Sequence, residues 1–204
     1  MDYQEELASS IRSILNGRKP KLIPDITGTY SHAGVLIPLL IEEDTCKVLF
    51  TKRTDKVEHH KGQISFPGGK VDPEDKSLAD TVLREAEEEI GLSREAVELL
   101  GRIDDTLTVV SNFIVHPLVG LVPADYNFTL NPFEVDSLLI VPLRLFFEKD
   151  GKWETSWSYT FEGVHYQSPA WRYKGEVIWG ATARIMRNFV ELFDGKLPLQ
   201  PLKK

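Results

Sequence analysis

Four of the five positions 85–89 are glutamates. In a helix, Glu85, Glu88 and Glu89 lie on one side, because residues spaced by three and four are neighbours there. Their carboxylates can then approach a common point, and carboxylate oxygens are the ligands that hard divalent cations prefer. The spacing therefore predicts a metal site, with Mg²⁺ as the first candidate; a solvated acidic stripe is the alternative interpretation.

The glutamates end a segment that carries helix start and stop signals. Ser77 can cap the first turn, with Asp80 three residues later, and Gly91 can end the helix in the left-handed conformation. These signals predict a helix over residues 78–90. Its apolar stripe consists of Ala79, Val82, Leu83, Ala86 and Ile90. Carboxylates are unfavourable at the carbonyl end of a helix, so we expect a positive group among them.

A glycine turn, Pro67-Gly68-Gly69, precedes this helix. The two glycines, followed by Arg84-Glu85-Ala86-x-Glu88-Glu89-x-Gly91-Leu92, resemble the signature of Nudix hydrolases. This family hydrolyses nucleoside diphosphates that are linked to another moiety. The resemblance implies an α/β fold, namely an α/β/α sandwich with a mixed β-sheet, and an enzyme that depends on Mg²⁺ or Mn²⁺.

The loop between the turn and the helix departs from the general family pattern. Position six after Gly69 is Asp75 rather than glutamate, and one residue is inserted before Arg84. This departure resembles the coenzyme A diphosphatase branch of the family, in which Gly-Gly-x-x-Asp-x-x-Asp precedes the helix. The first of these aspartates is Asp72. Asp72 and Asp75 either hold water near the metal or cap the loop.

A basic block before the glycine turn supports the same branch. It runs from Phe50 to Gly69 and looks like the additional motif that these enzymes carry. Six basic side chains fall within ten residues of a chain whose formal net charge is −7: Lys52, Arg53, Lys56, His59, His60 and Lys61. A guanidinium pairs bidentately with phosphate, which favours Arg53 as a phosphate ligand. A hydrated loop is the alternative interpretation.

The resemblance implies roles for individual side chains. Glu85 and Glu89 are the expected metal ligands. Glu88 and Arg84 are the candidate catalytic residues, with Glu88 as a third ligand or the general base and Arg84 orienting the carboxylates. The expected substrate-binding residues are Arg53, Lys56, His60, Lys61, Gly68 and Gly69.

The reaction implied is attack of water on the diphosphate of coenzyme A or an acyl derivative, giving 4′-phosphopantetheine and 3′,5′-ADP. ADP-ribose, dinucleotides and noncanonical nucleoside triphosphates are the alternative substrates. A nucleotide-sensing regulator on the same fold is an alternative from a different class. The complete set of Glu85, Glu88 and Glu89 argues against a regulator, since such scaffolds lose their metal-binding glutamates.

Composition sets wider limits. With 204 residues, of which 42% are hydrophobic, the chain suits one soluble globular domain. The acidic balance argues against nucleic acid as a partner, and no apolar run reaches membrane-spanning length. The N-terminus lacks the pattern of a signal peptide, and the single Cys46 excludes an internal disulfide, so we expect a cytoplasmic protein. We divide the chain into an N-terminal helix and linker (1–27), the hydrolase domain (28–194) and a tail (195–204).

Hydrophobic periodicity predicts the remaining elements. An amphipathic helix spans 5–15, and a closing helix spans 178–193. Strands are expected over 32–41, 46–52, 99–103, 113–122 and 137–142. The Trp- and Tyr-rich stretch 153–173 alternates like a hairpin. Its aromatic side chains either stack an adenine or pack in the core or at the face of a homodimer.

Overall fold

The computed structural model describes residues 2–56, 62–108, 111–148, 154–161 and 163–200. The helices in these ranges are α1 (Tyr3–Asn16), α2 (Leu78–Ile90) and α3 (Gly180–Phe193). The strands are β1 (Ser31–Glu42), β2 (Thr45–Arg53), β3 (Ile64–Ser65), β4 (Gly68–Lys70), β5 (Glu98–Arg102), β6 (Thr106–Leu107), β7 (Phe113–Pro123), β8 (Val135–Pro142), β9 (Glu154–Phe161), β10 (Val164–Tyr173) and β11 (Glu176–Ile178).

A mixed sheet forms the middle of the fold. Its main order is β3-β2-β1-β7-β5, while β4, β6 and β8 pair with β1, β7 and β2. The long strands β1 and β7 run parallel, from the pair Ser31 and Phe113 to the pair Ile41 and Pro123. The other pairings are antiparallel. A second, three-stranded sheet has the order β11-β10-β9. Its antiparallel strands β9 and β10 form the hairpin that was predicted for the aromatic stretch.

Helices cover both faces of the large sheet. Along β1, Leu36 and Leu40 pack in one buried cluster with Val82 and Ile90 of α2. Because neighbouring strand residues point to opposite faces, the intervening side chains, such as Ile37, pack in a second cluster. That cluster contains α1 and α3, through Leu7, Ile11, Met186 and Phe189. The result is an α/β/α sandwich, which confirms the fold that the family resemblance implied.

The predicted bounds of α2, residues 78–90, are confirmed by the structure. The Asp80 N–H donates to Ser77 Oγ at 3.2 Å, and Gly91 adopts the left-handed conformation with φ of 64°. The closing helix was predicted too long at its start, because Ile178 pairs with Trp171 as the last residue of β11 and α3 begins at Gly180. No helix among the described residues is long and apolar enough to cross a membrane.

The N-terminal segment is part of the core. Leu7 and Ile11 of α1 are completely buried, and a Cβ on Gly101 of β5 would lie 2.9 Å from Leu15. The linker that follows α1, residues 18–30, is held by acidic side chains between β5 and β6. The Lys21 N–H donates to Asp104 at 2.8 Å, and the Ile23 N–H donates to Asp105 at 3.0 Å.

Asp105 is the buried centre of this contact. Its side chain is 2% exposed, pairs with Arg102, and lies 2.9 Å from His116 Nδ1. Burial alone would raise the pKa of this carboxyl, but hydrogen bonds from His116, the Ile23 N–H and Arg102 outweigh it and lower the pKa. A carboxyl with a lowered pKa stabilises the fold at neutral pH, and that stabilisation is lost as the pH falls.

Asp105→Asn is therefore expected to lower the free energy of unfolding by about 2–3 kcal/mol at pH 7, since a paired buried charge is removed. Urea unfolding followed by tryptophan fluorescence measures this, with the exposed Asp125→Asn as the matched control. The difference should shrink below about pH 4, where the unfolded carboxyl takes up its proton. Equal stability of the two variants at pH 7 would contradict the prediction.

Candidate active site

The glycine turn packs directly against the end of α2. Gly68 and Gly69 belong to β4 and pair with Val35 and Gly34 of β1. Gly68 has φ of 151°, and a Cβ there would lie 2.3 Å from the Gly34 oxygen. A Cβ on Gly69 would lie 2.4 Å from the carboxylate of Glu85. Gly68 thus requires glycine, because a side chain would collide with the backbone of β1, whereas a side chain at position 69 would displace the carboxylate of Glu85.

Glu89 is buried beside this turn. Its side chain is 4% exposed, and one carboxylate oxygen accepts from the Gly68 N–H at 3.3 Å. Arg53 Nη1 lies 3.9 Å from the other oxygen. Burial raises the pKa of Glu89 to about 8, although the charge of Arg53 opposes this. Arg53 Nε is also buried without a hydrogen-bond partner among the described residues. The carboxylate is therefore poorly compensated by the chain alone.

Arg84 is the positive group that the glutamate run requires. It donates to Asp75 at 3.1 and 3.0 Å and to Glu85 at 2.8 Å. It also reaches Glu88 at 3.3 Å and the Lys70 carbonyl at 3.2 Å. These contacts join the loop after the glycine turn to α2. Arg84 thus contacts three carboxylates at once, those of Asp75, Glu85 and Glu88.

Asp75 is engaged as a loop cap. Besides Arg84, it accepts from the Asp72 N–H at 2.9 Å and from Thr81 Oγ1 at 2.8 Å. The hydrogen bonds from Arg84, which outweigh the opposing effect of burial, lower the pKa of Asp75 far below its usual range. These contacts correspond to the loop-capping alternative for Asp75.

The three predicted carboxylates are not gathered at one point. Glu85 is 16% exposed and turns towards Gly69, whereas Glu88 is 58% exposed and turns towards Arg84 and solvent. In the part of the chain that the structure describes, no three His, Cys, Asp or Glu side chains already form a cluster that could hold a metal ion. The physical reason is that Arg84 attracts Glu85 and Glu88, while Glu89 is held by Gly68.

The donor set nevertheless fits a hard divalent cation. Glu85 and Glu89 offer carboxylate oxygens in a site that burial has partly dehydrated, and burial raises the pKa of both groups. Glu134, in the loop before β8, adds a further negative charge that acts on both. A bound cation would offset this excess negative charge. Sequence analysis missed Glu134, because a lone glutamate in a distant loop carries no spacing signal.

The structure describes part of the basic block, including Arg53 and Lys56. Arg53 lies at the end of β2, beside Glu89. Lys56 Nζ instead reaches the Pro132 carbonyl at 3.5 Å and lies 5.6 Å from the centre of the Phe133 ring. His60 and Lys61 fall in residues 57–61, outside the described part of the chain.

A cleft of about 570 Å³ opens from Arg53 and Gly68, the two residues that contact Glu89. Its walls come from β1, β3, β4, β7, α3 and the turn after β6, and most of its surface is apolar. Its lining residues include Val35, Arg53, Phe66, Thr108, Val115 and Arg184. None of the described lining residues is acidic. Sequence analysis missed Arg184, which the fold brings to the cleft from far along the chain.

The aromatic stretch is divided between two environments. Trp171 is buried and meets Phe146 edge-on, with 5.3 Å between the ring centres. Trp157 stacks on Trp179, which lines the cleft, at 5.4 Å. Part of this stretch therefore packs in the core and part lies at the rim of the cleft.

Comparisons with known proteins agree with this arrangement. The family model described as NUDIX domain matches residues 30–162. Proteins named uncharacterized Nudix hydrolase NudL, from Yersinia pestis (strain Pestoides F) and Yersinia pseudotuberculosis serotype O:1b, are 38% identical over 176 residues. The alignments cover 82% of this chain and 86% of each relative.

A solved structure, that of a MutT/nudix family protein from Enterococcus faecalis, is similar in fold. It is 18% identical, has a TM-score of 0.52, and is aligned over 87% of this chain and 66% of its own. At this identity the likeness concerns the fold alone.

Proposed function

This chain belongs to the Nudix hydrolase family, and we propose that its substrate is coenzyme A or an acyl derivative, cleaved to 4′-phosphopantetheine and 3′,5′-ADP. Membership of the family supports hydrolysis of a nucleoside diphosphate derivative. The choice of coenzyme A rests on the loop from Gly68 to Asp75 and on the basic block before it.

One structural observation carries the proposal. Glu89 is a buried carboxylate with a single weak N–H partner, and it lies where an apolar, positively charged cleft begins. A diphosphate in the cleft would meet Arg53 on the cleft side and the glutamates of α2 on the other. Such a site suits a reaction in which negative phosphate oxygens and carboxylates must be brought close together.

We assign the metal to Glu85 and Glu89, with Glu88 as third ligand or general base. When bound, Mg²⁺ or Mn²⁺ would offset charge on the diphosphate and lower the pKa of the attacking water. As general base, Glu88 would accept the proton that this water loses. Arg84 positions Glu85 and Glu88 through its hydrogen bonds.

We assign substrate binding to residues of the glycine turn and of the basic block. Arg53 would pair with its oxygens, while Gly68 and Gly69 allow the backbone to approach them. Lys56, His60 and Lys61 complete the proposed set.

Further proposals concern the chain as a whole. We propose residues 1–27 as a helix and linker packed on the hydrolase domain, 28–194 as that domain and 195–204 as a tail. We also propose a cytoplasmic location, with which the single buried Cys46 agrees, and a homodimer, which light scattering would detect.

A substrate panel tests the proposed reaction. The protein is incubated with Mg²⁺ and coenzyme A, acetyl-coenzyme A, ADP-ribose, a diadenosine polyphosphate or dGTP, and the products are identified by mass spectrometry. We expect the highest kcat/KM for coenzyme A or its acetyl derivative, with 4′-phosphopantetheine and 3′,5′-ADP as products. Much faster hydrolysis of ADP-ribose or dGTP would contradict the choice of coenzyme A as substrate. The assignment of the protein as a metal-dependent hydrolase would still stand.

A further inference from the structure

The cleft is positively charged in a chain that is acidic overall. Two arginines, Arg53 and Arg184, line it, and none of its described lining residues is acidic, although the chain has a formal net charge of −7. Because apolar side chains such as Val35, Phe66 and Val115 form much of the wall, charges there are screened less than on an open surface. The cleft therefore favours an organic ligand with more than one anionic group.

The two arginines have different surroundings. Arg53 lies beside Glu89, so it belongs to the end of the cleft where the scissile diphosphate is expected. Arg184 enters from α3, and its Nη2 donates to the Leu107 carbonyl of β6 at 3.0 Å. Among the described residues, no carboxylate forms a salt bridge with Arg184. Its position is thus fixed by a neutral partner, and its charge is available to a ligand.

Polar groups surround the β6 side of the cleft as well. Thr108 and Ser111 both line it, and their hydroxyl oxygens are 2.9 Å apart. By contrast, Lys56 does not line the cleft and lies over Phe133 instead. Of the basic side chains that the structure describes, Arg184 is therefore the cationic group in the cleft that is separate from the glutamate site.

We propose that Arg184 is a specificity-determining residue that binds a substrate phosphate other than the diphosphate being cleaved. This inference rests on the proposed function, under which the additional group is the 3′-phosphate of coenzyme A. ADP-ribose lacks this terminal phosphate. A planar guanidinium held by a backbone carbonyl still has donors for a phosphate, and two parallel hydrogen bonds would give it geometric selectivity.

Binding of two nucleotides that differ by one phosphate tests this role without catalysis. Isothermal titration calorimetry in the absence of added metal gives dissociation constants for 3′,5′-ADP and 5′-AMP. Arg184→Gln is compared with the wild type and with Arg172→Gln, an exposed arginine on β10 that undergoes the same change of charge. We expect the wild type and the control to prefer 3′,5′-ADP by about tenfold to a hundredfold. Arg184→Gln should lose this preference while keeping its affinity for AMP.

Kinetics provide an independent readout. For Arg184→Gln, KM should rise for coenzyme A and stay unchanged for dephospho-coenzyme A, with kcat similar for both, because the lost contact is the same in the ground and transition states. If the glutamine variant fails to fold, Arg184→Lys serves instead. Lysine keeps the charge but not the planar fork, so it should retain only part of the preference.

The outcomes separate this inference from the proposed function. No preference for 3′,5′-ADP in the wild type, or the same preference in wild type and Arg184→Gln, would overturn the role of Arg184 even if coenzyme A is the substrate. Hydrolysis of ADP-ribose far faster than coenzyme A would instead contradict the proposed substrate. In that case the two dissociation constants still decide whether Arg184 binds the additional phosphate.

Discussion

Chelation of divalent cations is expected to reduce coenzyme A hydrolysis to background, and added Mg²⁺ or Mn²⁺ is expected to restore it. The reason lies in the arrangement of Glu85 and Glu89. Glu89 lies in the last turn of α2, at the carbonyl end, and Glu85 lies one turn before it. Burial raises the pKa of both, and Glu134 adds negative charge nearby. Without a cation, a diphosphate brought to this place would meet uncompensated negative charge.

The measurement is product formation after dialysis against EDTA, followed by titration with each metal chloride. EDTA saturated with Mg²⁺ before addition is the control for effects of the chelator itself. Far-ultraviolet circular dichroism checks that the metal-free protein stays folded. Undiminished turnover in excess EDTA would show that the carboxylates of α2 do not act through a metal.

Glu89→Gln is expected to lower kcat by at least about a hundredfold, which corresponds to about 3 kcal/mol of lost transition-state stabilisation. Glutamine keeps the shape of the side chain but removes the charge that would hold a cation. Without metal, the variant is expected to unfold at the same or a higher temperature than the wild type, because a buried and poorly paired carboxylate is gone. This opposite change in activity and stability is typical of a functional site.

Glu87→Gln is the matched control, because Glu87 lies on the same helix, is exposed and undergoes the same change of charge. It should retain wild-type turnover. Single-turnover assays at saturating Mg²⁺ compare the two variants, and calorimetry of Mn²⁺ binding reports metal affinity separately from chemistry. Near wild-type turnover in Glu89→Gln would show that the assignment of this ligand is wrong.

What could be predicted from the sequence depended on how local the signal was. The bounds of α2 follow from Ser77 and Gly91, which act within one turn of the helix ends. Strands β1 and β7 follow from long apolar runs. The start of α3 was misjudged because Ile178 continues the apolar pattern of the helix. In the structure it ends β11 and pairs with Trp171 across a tight turn at Lys174 and Gly175.

In the candidate site, too, residues close in sequence could be predicted and residues brought together only by the fold could not. The glutamates of α2 and the two glycines could be found because they are close in sequence. Arg184 and Glu134 could not, because only the fold brings α3 and the loop before β8 to the site. The helical spacing of Glu88 also does not reveal the orientation of its side chain. That orientation depends on which carboxylates Arg84 contacts.

The parallel pairing of β1 with β7 has a consequence for how the chain is made. These strands are separated by about eighty residues, and the cluster that buries Leu7 of α1 also contains Phe189 of α3. During synthesis, the middle of the large sheet cannot form until β7 has left the ribosome. The apolar face of α1, which is translated before this sheet, is fully covered only when α3 is present. The fold is therefore completed only after α3 has been translated, and until then the apolar face of α1 lacks part of the cluster that buries it.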